Sequence, residues 1–109
     1  MPDPTDATDA TFAEDVLASE IPVIVDFWAP WCRPCRAIEP ALTEIAAANE
    51  GRVRVVKLDI DANLGTPSRY GVLSIPTVIL FCDGQARETV VGPRAKGFYE
   101  RTFAPYLVA

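Results

Sequence analysis

The stretch IPVIVDFWAPWCRPCRAIEP, residues 21–40, changes character halfway along. Its first eight residues are β-rich and apolar apart from Asp26, as expected of a central strand covered on both faces. From Pro34 the pattern turns helical, with Ile38, Ala41, Leu42 and Ile45 on one stripe and Gly51 as a stop signal. Pro40 falls inside this helix and is expected to kink it. Cys32 and Cys35 lie at the junction of the two patterns. Both thiols therefore meet unpaired backbone N–H groups and the positive end of a helix dipole, which favours thiolate over thiol.

On the amino-terminal side, Thr11 to Ser19 fits a short helix, with Phe12, Val16 and Leu17 on one face and Thr11 and Glu14 at capping-box spacing. On the carboxyl side, RVRVVKLDI (52–60) reads as a second strand. Thr66-Pro67 is placed to cap and start a short helix that ends at Gly71. TVILF (77–81) is a third strand, and Asp83-Gly84 is a two-residue hairpin signal leading into RETVV (87–91). Gly92-Pro93 breaks that strand, and Tyr99, Phe103, Tyr106 and Leu107 then recur at helical spacing, with Pro105 set to shorten or bend the helix. Strands interleaved with helices predict an α/β layer structure whose first two core strands are parallel and whose last two form a hairpin. Sites in such sheets lie beyond the carboxyl ends of the parallel strands, where the cysteine pair falls.

With 109 residues the chain is the size of one domain, and the reading is a single domain over 1–109 with a polar leader at 1–8. The net charge of −5 has the wrong sign for a surface that neutralises phosphates, so no nucleic-acid partner is expected. The opening MPDPTDATDA has neither the basic start nor the apolar run of a secretory signal, and the longest apolar stretch, Val78 to Cys82, is far too short to span a membrane. The expected location is cytoplasmic, with no membrane association. There thiols are kept reduced, so a cysteine pair points to catalysis or metal rather than to a permanent staple. A tetrahedral zinc site needs four ligands, yet the chain has no His and only one further cysteine, Cys82. A staple across two intervening residues would constrain little of the unfolded chain. Reversible thiol–disulfide chemistry is left as the favoured reading of Cys32 and Cys35.

VDFWAPWCRPC, followed by Pro40, Lys57, SIPT at 74–77, Asp83-Gly84 and Val91-Gly92, resembles the thioredoxin family, here as a WCRPC variant. The likeness runs over roughly residues 8 to 108 in family order. It implies a central mixed sheet of four to five strands flanked by helices on both faces, with a first strand that the two prolines of PDPTDA leave weak or absent. It also implies a cysteine couple without metal or other cofactor, reduced by an NADPH-dependent flavoprotein thioredoxin reductase and acting on disulfide-containing proteins as a monomer. By position, Cys32 is then the exposed attacking thiolate and Cys35 the buried resolving thiol. Asp26, buried in an apolar strand, is the proton handler for Cys35, and Lys57 on the adjacent strand modulates it. Pro34 stiffens the active-site loop. Pro76, for which the sequence alone predicts a trans bond, becomes cis and sits against the cysteines. Trp31, Ser74, Ile75, Val91, Gly92 and Pro93 form the substrate-docking rim, while Trp28 is read as ordinary packing. Position 33 carries Arg where the family usually has Gly, and Ser74 also replaces a common Gly, which bears on substrate range and on the redox couple. The reading from a different class is a binding or scaffold subunit of the same fold in which the cysteine pair is incidental.

Overall fold

A computed structural model of the chain describes residues 5–107. Its strands are β1 (Thr5–Asp6), β2 (Val23–Trp28), β3 (Arg54–Asp59), β4 (Thr77–Cys82) and β5 (Gln85–Val91). Its helices are α1 (Arg33–Ala48), α2 (Gly65–Arg69) and α3 (Lys96–Phe103), with a π-helical turn at Ala13–Leu17 and a 3₁₀ turn at Ala104–Tyr106. The five strands form one mixed sheet in the order β1-β3-β2-β4-β5. β3 runs parallel to both β1 and β2, while β4 is antiparallel to β2 and β5.

The central position of β2 follows from its composition. Successive side chains point to opposite faces of a sheet, so a strand apolar on both faces needs cover on both. Ile24 joins Ile38, Leu42 and Ile45 of α1 and Tyr99 and Phe103 of α3 in one core layer. Val23, Val25 and Phe27 join Phe12, Val16, Ile79 and Phe81 in the other. The second layer is closed by edge-to-face aromatic contacts of Phe81 with Phe12 and Tyr70.

Among the described residues the first strand is Thr5–Asp6: the two pair with Val56 and Lys57, and the Ala7 N–H donates to the Lys57 carbonyl. The capping of the next turn differs from the Thr11–Glu14 expectation. Thr8 and Thr11 bond each other reciprocally, each hydroxyl accepting the other's backbone N–H. The Ala18 N–H then reaches back five residues to the Ala13 carbonyl, which widens the turn. The start of α2 is also capped from elsewhere. The Asp9 carboxylate accepts from the Gly65 and Thr66 N–H groups and from the Thr66 hydroxyl, so Thr66 is a capped residue and not the cap. The Thr66 hydroxyl bond, chief among these, holds the Asp9 carboxyl below its ordinary range. Asp83 and Gly84 make the β4–β5 turn with positive φ at both positions, as a two-residue hairpin of this hand requires. Helix α1 continues through Pro40 to Ala48, with Asn49 as its cap, and α3 stops at Phe103 before Pro105. No helix among the described residues is long and apolar enough to cross a membrane.

Candidate active site

At the carboxyl end of β2 the chain leaves the sheet through Ala29, Pro30 and Trp31 and enters α1 at Arg33. Cys32 is the residue that caps α1: its backbone is extended, and its sulfur accepts the Cys35 N–H at 3.2 Å. Pro34 occupies the first turn, where its missing N–H costs nothing and its fixed φ suits a helix. The two cysteines are joined as a disulfide with Cα atoms 5.3 Å apart. A sulfur in the cap position replaces the usual Ser or Asp oxygen, so whatever negative charge Cys32 carries is met by backbone dipoles.

The expected contrast between an exposed Cys32 and a buried Cys35 is not found in this disulfide form. The residues are 4 % and 2 % exposed, because Ala29, Trp28, Ile60 and Ile75 pack around the pair. The neighbouring Trp31 stands out into solvent, at 66 %, with its indole N–H donated to Asp61 at 2.7 Å. Arg36 is drawn back over the loop and donates to the Pro30 carbonyl, whereas the Arg33 side chain is exposed.

A second loop completes the surface. The Ile75–Pro76 peptide is cis, and Ile75 packs on the cysteine pair. The Thr77 hydroxyl donates to the Ser74 carbonyl at 2.7 Å, and the Gly92 N–H donates to the Pro76 carbonyl at 2.8 Å. These bonds gather Ser74, Ile75, Val91 and Gly92 at one edge of the site, with Pro93 following exposed. Leu73, to which no local pattern drew attention, stands 97 % exposed at the start of this loop. Cys82 lies at the other end of β4 and carries a free thiol.

Asp26 sits two residues beyond Ile24 and therefore on the α1 face of β2. It is 1 % exposed, and its Oδ1 has no hydrogen-bond partner. Burial drives its carboxyl from 3.8 up to about 7, against a downward pull from Lys57 and with an upward push from Glu39. Lys57 is its register partner on β3, but the ammonium pairs with Glu39 at 2.9 Å and lies 4.0 Å over the Trp28 ring. Trp28 thus does more than fill space. Glu39 is not among the residues that the sequence pattern singles out, although an acid one helical turn past Cys35, beside the apolar stripe of α1, is a legible signal.

A family model described as Thioredoxin matches residues 3–102. The chain is 52 % identical over 100 residues to the thioredoxin of Synechocystis sp., covering 92 % of this chain and 94 % of that one. It is 50 % identical over 100 residues to thioredoxin 1 of Synechococcus elongatus, with the same coverage of both chains. It is 51 % identical over 89 residues to the thioredoxin of Pseudomonas aeruginosa, covering 82 % of each. Identity of this order across nearly the whole of both chains, carried by a mixed five-stranded sheet and a cysteine pair at disulfide distance, reaches past fold to chemistry: the chain belongs to the thioredoxin family and is a protein-disulfide reductase.

Proposed function

We propose that Cys32 attacks, Cys35 resolves and Asp26 receives the Cys35 proton in each reductive turnover. The observation that carries this reading is the Cys35 N–H directed at the Cys32 sulfur in the first turn of α1. The Cys32 thiolate attacks one sulfur of the partner's disulfide, forming a mixed disulfide as the partner's S–S bond breaks and its first thiolate leaves to take a proton from water. Cys35 then gives its proton to the Asp26 carboxylate and attacks the Cys32 sulfur. The Cys32–Cys35 bond forms, the second partner thiolate leaves, and two electrons have passed from the couple to the partner. Titrating near neutrality suits Asp26 to exchange a proton in both directions.

Lys57 modulates Asp26, and Pro34 holds the loop between the cysteines stiff. The partner chain docks beside Pro76, on Trp31, Ser74, Ile75, Val91, Gly92 and Pro93, with main-chain pairing supplying affinity and the rim supplying preference. An NADPH-dependent flavoprotein thioredoxin reductase returns the couple to the dithiol. The protein works as a cytoplasmic monomer. Reduction of insulin by dithiothreitol should be accelerated by the parent and by neither Cys32→Ser nor Cys35→Ser. With an excess of oxidised insulin, Cys35→Ser should accumulate a covalent adduct on Cys32, and a faster adduct on Cys35 in Cys32→Ser would reverse the two roles.

A further inference from the structure

We propose that Glu39 is a positioning residue for the exchange reaction: its carboxylate holds the Lys57 ammonium against helix α1 and the Trp28 ring, away from the buried Asp26 carboxyl that is its partner across the sheet. The inference rests on the reading of Asp26 as proton acceptor but is tested separately from it.

Asp26 and Lys57 are opposite each other in the β2–β3 register, a placement from which a carboxylate and an ammonium would ordinarily meet. Yet among the described residues the ion pair of Lys57 is with Glu39, and Asp26 Oδ1 is left without a partner. Desolvation explains the choice. The Glu39 side chain is 35 % exposed and keeps part of its hydration as a carboxylate, whereas Asp26 is enclosed and would ionise at a large cost. The Trp28 ring then receives the ammonium on its face and fixes where the Lys57 side chain ends.

The charged and titratable groups around Asp26 come from three elements. β3 supplies Lys57, and α1 supplies Glu39. α3 supplies Tyr99, whose buried hydroxyl feels the Asp26 charge. On the β4 side, Asp26 faces Val78, which carries no charge. Of these groups, Lys57 alone pulls the Asp26 carboxyl down, and Glu39 opposes it. Without the Glu39 charge, the Lys57 ammonium would be free to turn toward Asp26 and hold it ionised, and an ionised acceptor paired with lysine gives up a captured proton more readily.

The test follows the Asp26 carboxyl by carbon NMR through a pH titration of the oxidised protein, in the parent, Glu39→Gln, Lys57→Gln and the double variant. The half-exposed Glu39 site tolerates Gln without burying a new group. The Asp26 midpoint should fall by about half to one pH unit in Glu39→Gln. It should rise in Lys57→Gln, and the second substitution should shift it less in that background than in the parent, since the two act through one contact. An Asp26 midpoint unmoved or raised by Glu39→Gln overturns the inference, as does an equal shift with and without Lys57. The pH dependence of mixed-disulfide resolution, recorded on the same variants, separates the two readings. Rates that follow each variant's Asp26 midpoint support both. A midpoint that stays fixed while the rates still track it overturns the role of Glu39 and leaves Asp26 as acceptor.

Discussion

Replacing Asp26 by Asn should make the oxidised protein more stable by an amount that grows with pH. Burial raises the Asp26 carboxyl from 3.8 to about 7, so between those values the folded chain holds a proton that the unfolded chain has released. Folding stability from this group is therefore greatest at low pH, falls as pH rises through that window, and is level above it. The distance from 3.8 to about 7, at 1.36 kcal/mol per pH unit, sets the full penalty at about 4 kcal/mol. Between pH 5 and pH 8 roughly 2–3 kcal/mol of it develops. Asn does not titrate, and any cost of burying its amide, about 1–3 kcal/mol if unpaired, is the same at every pH. The slope of the difference thus isolates the charge, whatever its offset. Urea unfolding of both oxidised proteins at pH 5, 6, 7 and 8 is the assay. The gap in stability should widen in favour of Asn by roughly 2–3 kcal/mol across the series, on the order of 1–2 M in midpoint. Curves that run parallel within about 0.5 kcal/mol would mean that Asp26 is ionised at no cost, and the desolvation reasoning would be wrong.

Cys82 lies six residues along β4 from Pro76, roughly 20 Å at strand rise, which is beyond disulfide reach of the couple. Cys82→Ser should keep insulin reduction within about twofold of the parent, while Cys32→Ser reduces it to background. We propose that Arg33, a positive charge placed between the cysteines, stabilises the thiolate of the dithiol form and makes the couple more oxidising. Equilibration with glutathione should find Arg33→Gly more reducing by about 10–20 mV, the size of a solvent-screened interaction of roughly 0.5–1 kcal/mol; an equal or more oxidising variant would assign Arg33 to substrate choice. Asp9→Ala removes three bonds to the start of α2 and should lower stability by about 1 kcal/mol in urea unfolding, without changing the rate of disulfide reduction.

Much of this protein is written in local pattern. The uniformly apolar IPVIV run requires cover on both faces, and that requirement alone places β2 at the centre of an α/β sheet. The switch to helical spacing after Pro34 puts Cys32 and Cys35 at a helix start, and the composition leaves thiol exchange as their favoured chemistry. Contacts between residues distant in sequence are legible only in part. An acid alone in an apolar strand announces its burial, so Asp26 stands out, but which carboxylate Lys57 chooses depends on the relative desolvation of two acids on different elements. Glu39 wins because α1 brings it to the ammonium while leaving it partly in water. The capping of α2 by Asp9, from 56 residues away, has no trace in the sequence around Thr66. The low exposure of Cys32 likewise follows from Ile60 and Ile75, which arrive from β3's end and from the loop before β4. Sequence determined the core strands, the main helices, their order and the cysteine pair, because each follows from spacing along one segment. Tertiary structure decided the partners of buried and capping groups, because there the competing desolvation costs are set by packing between segments.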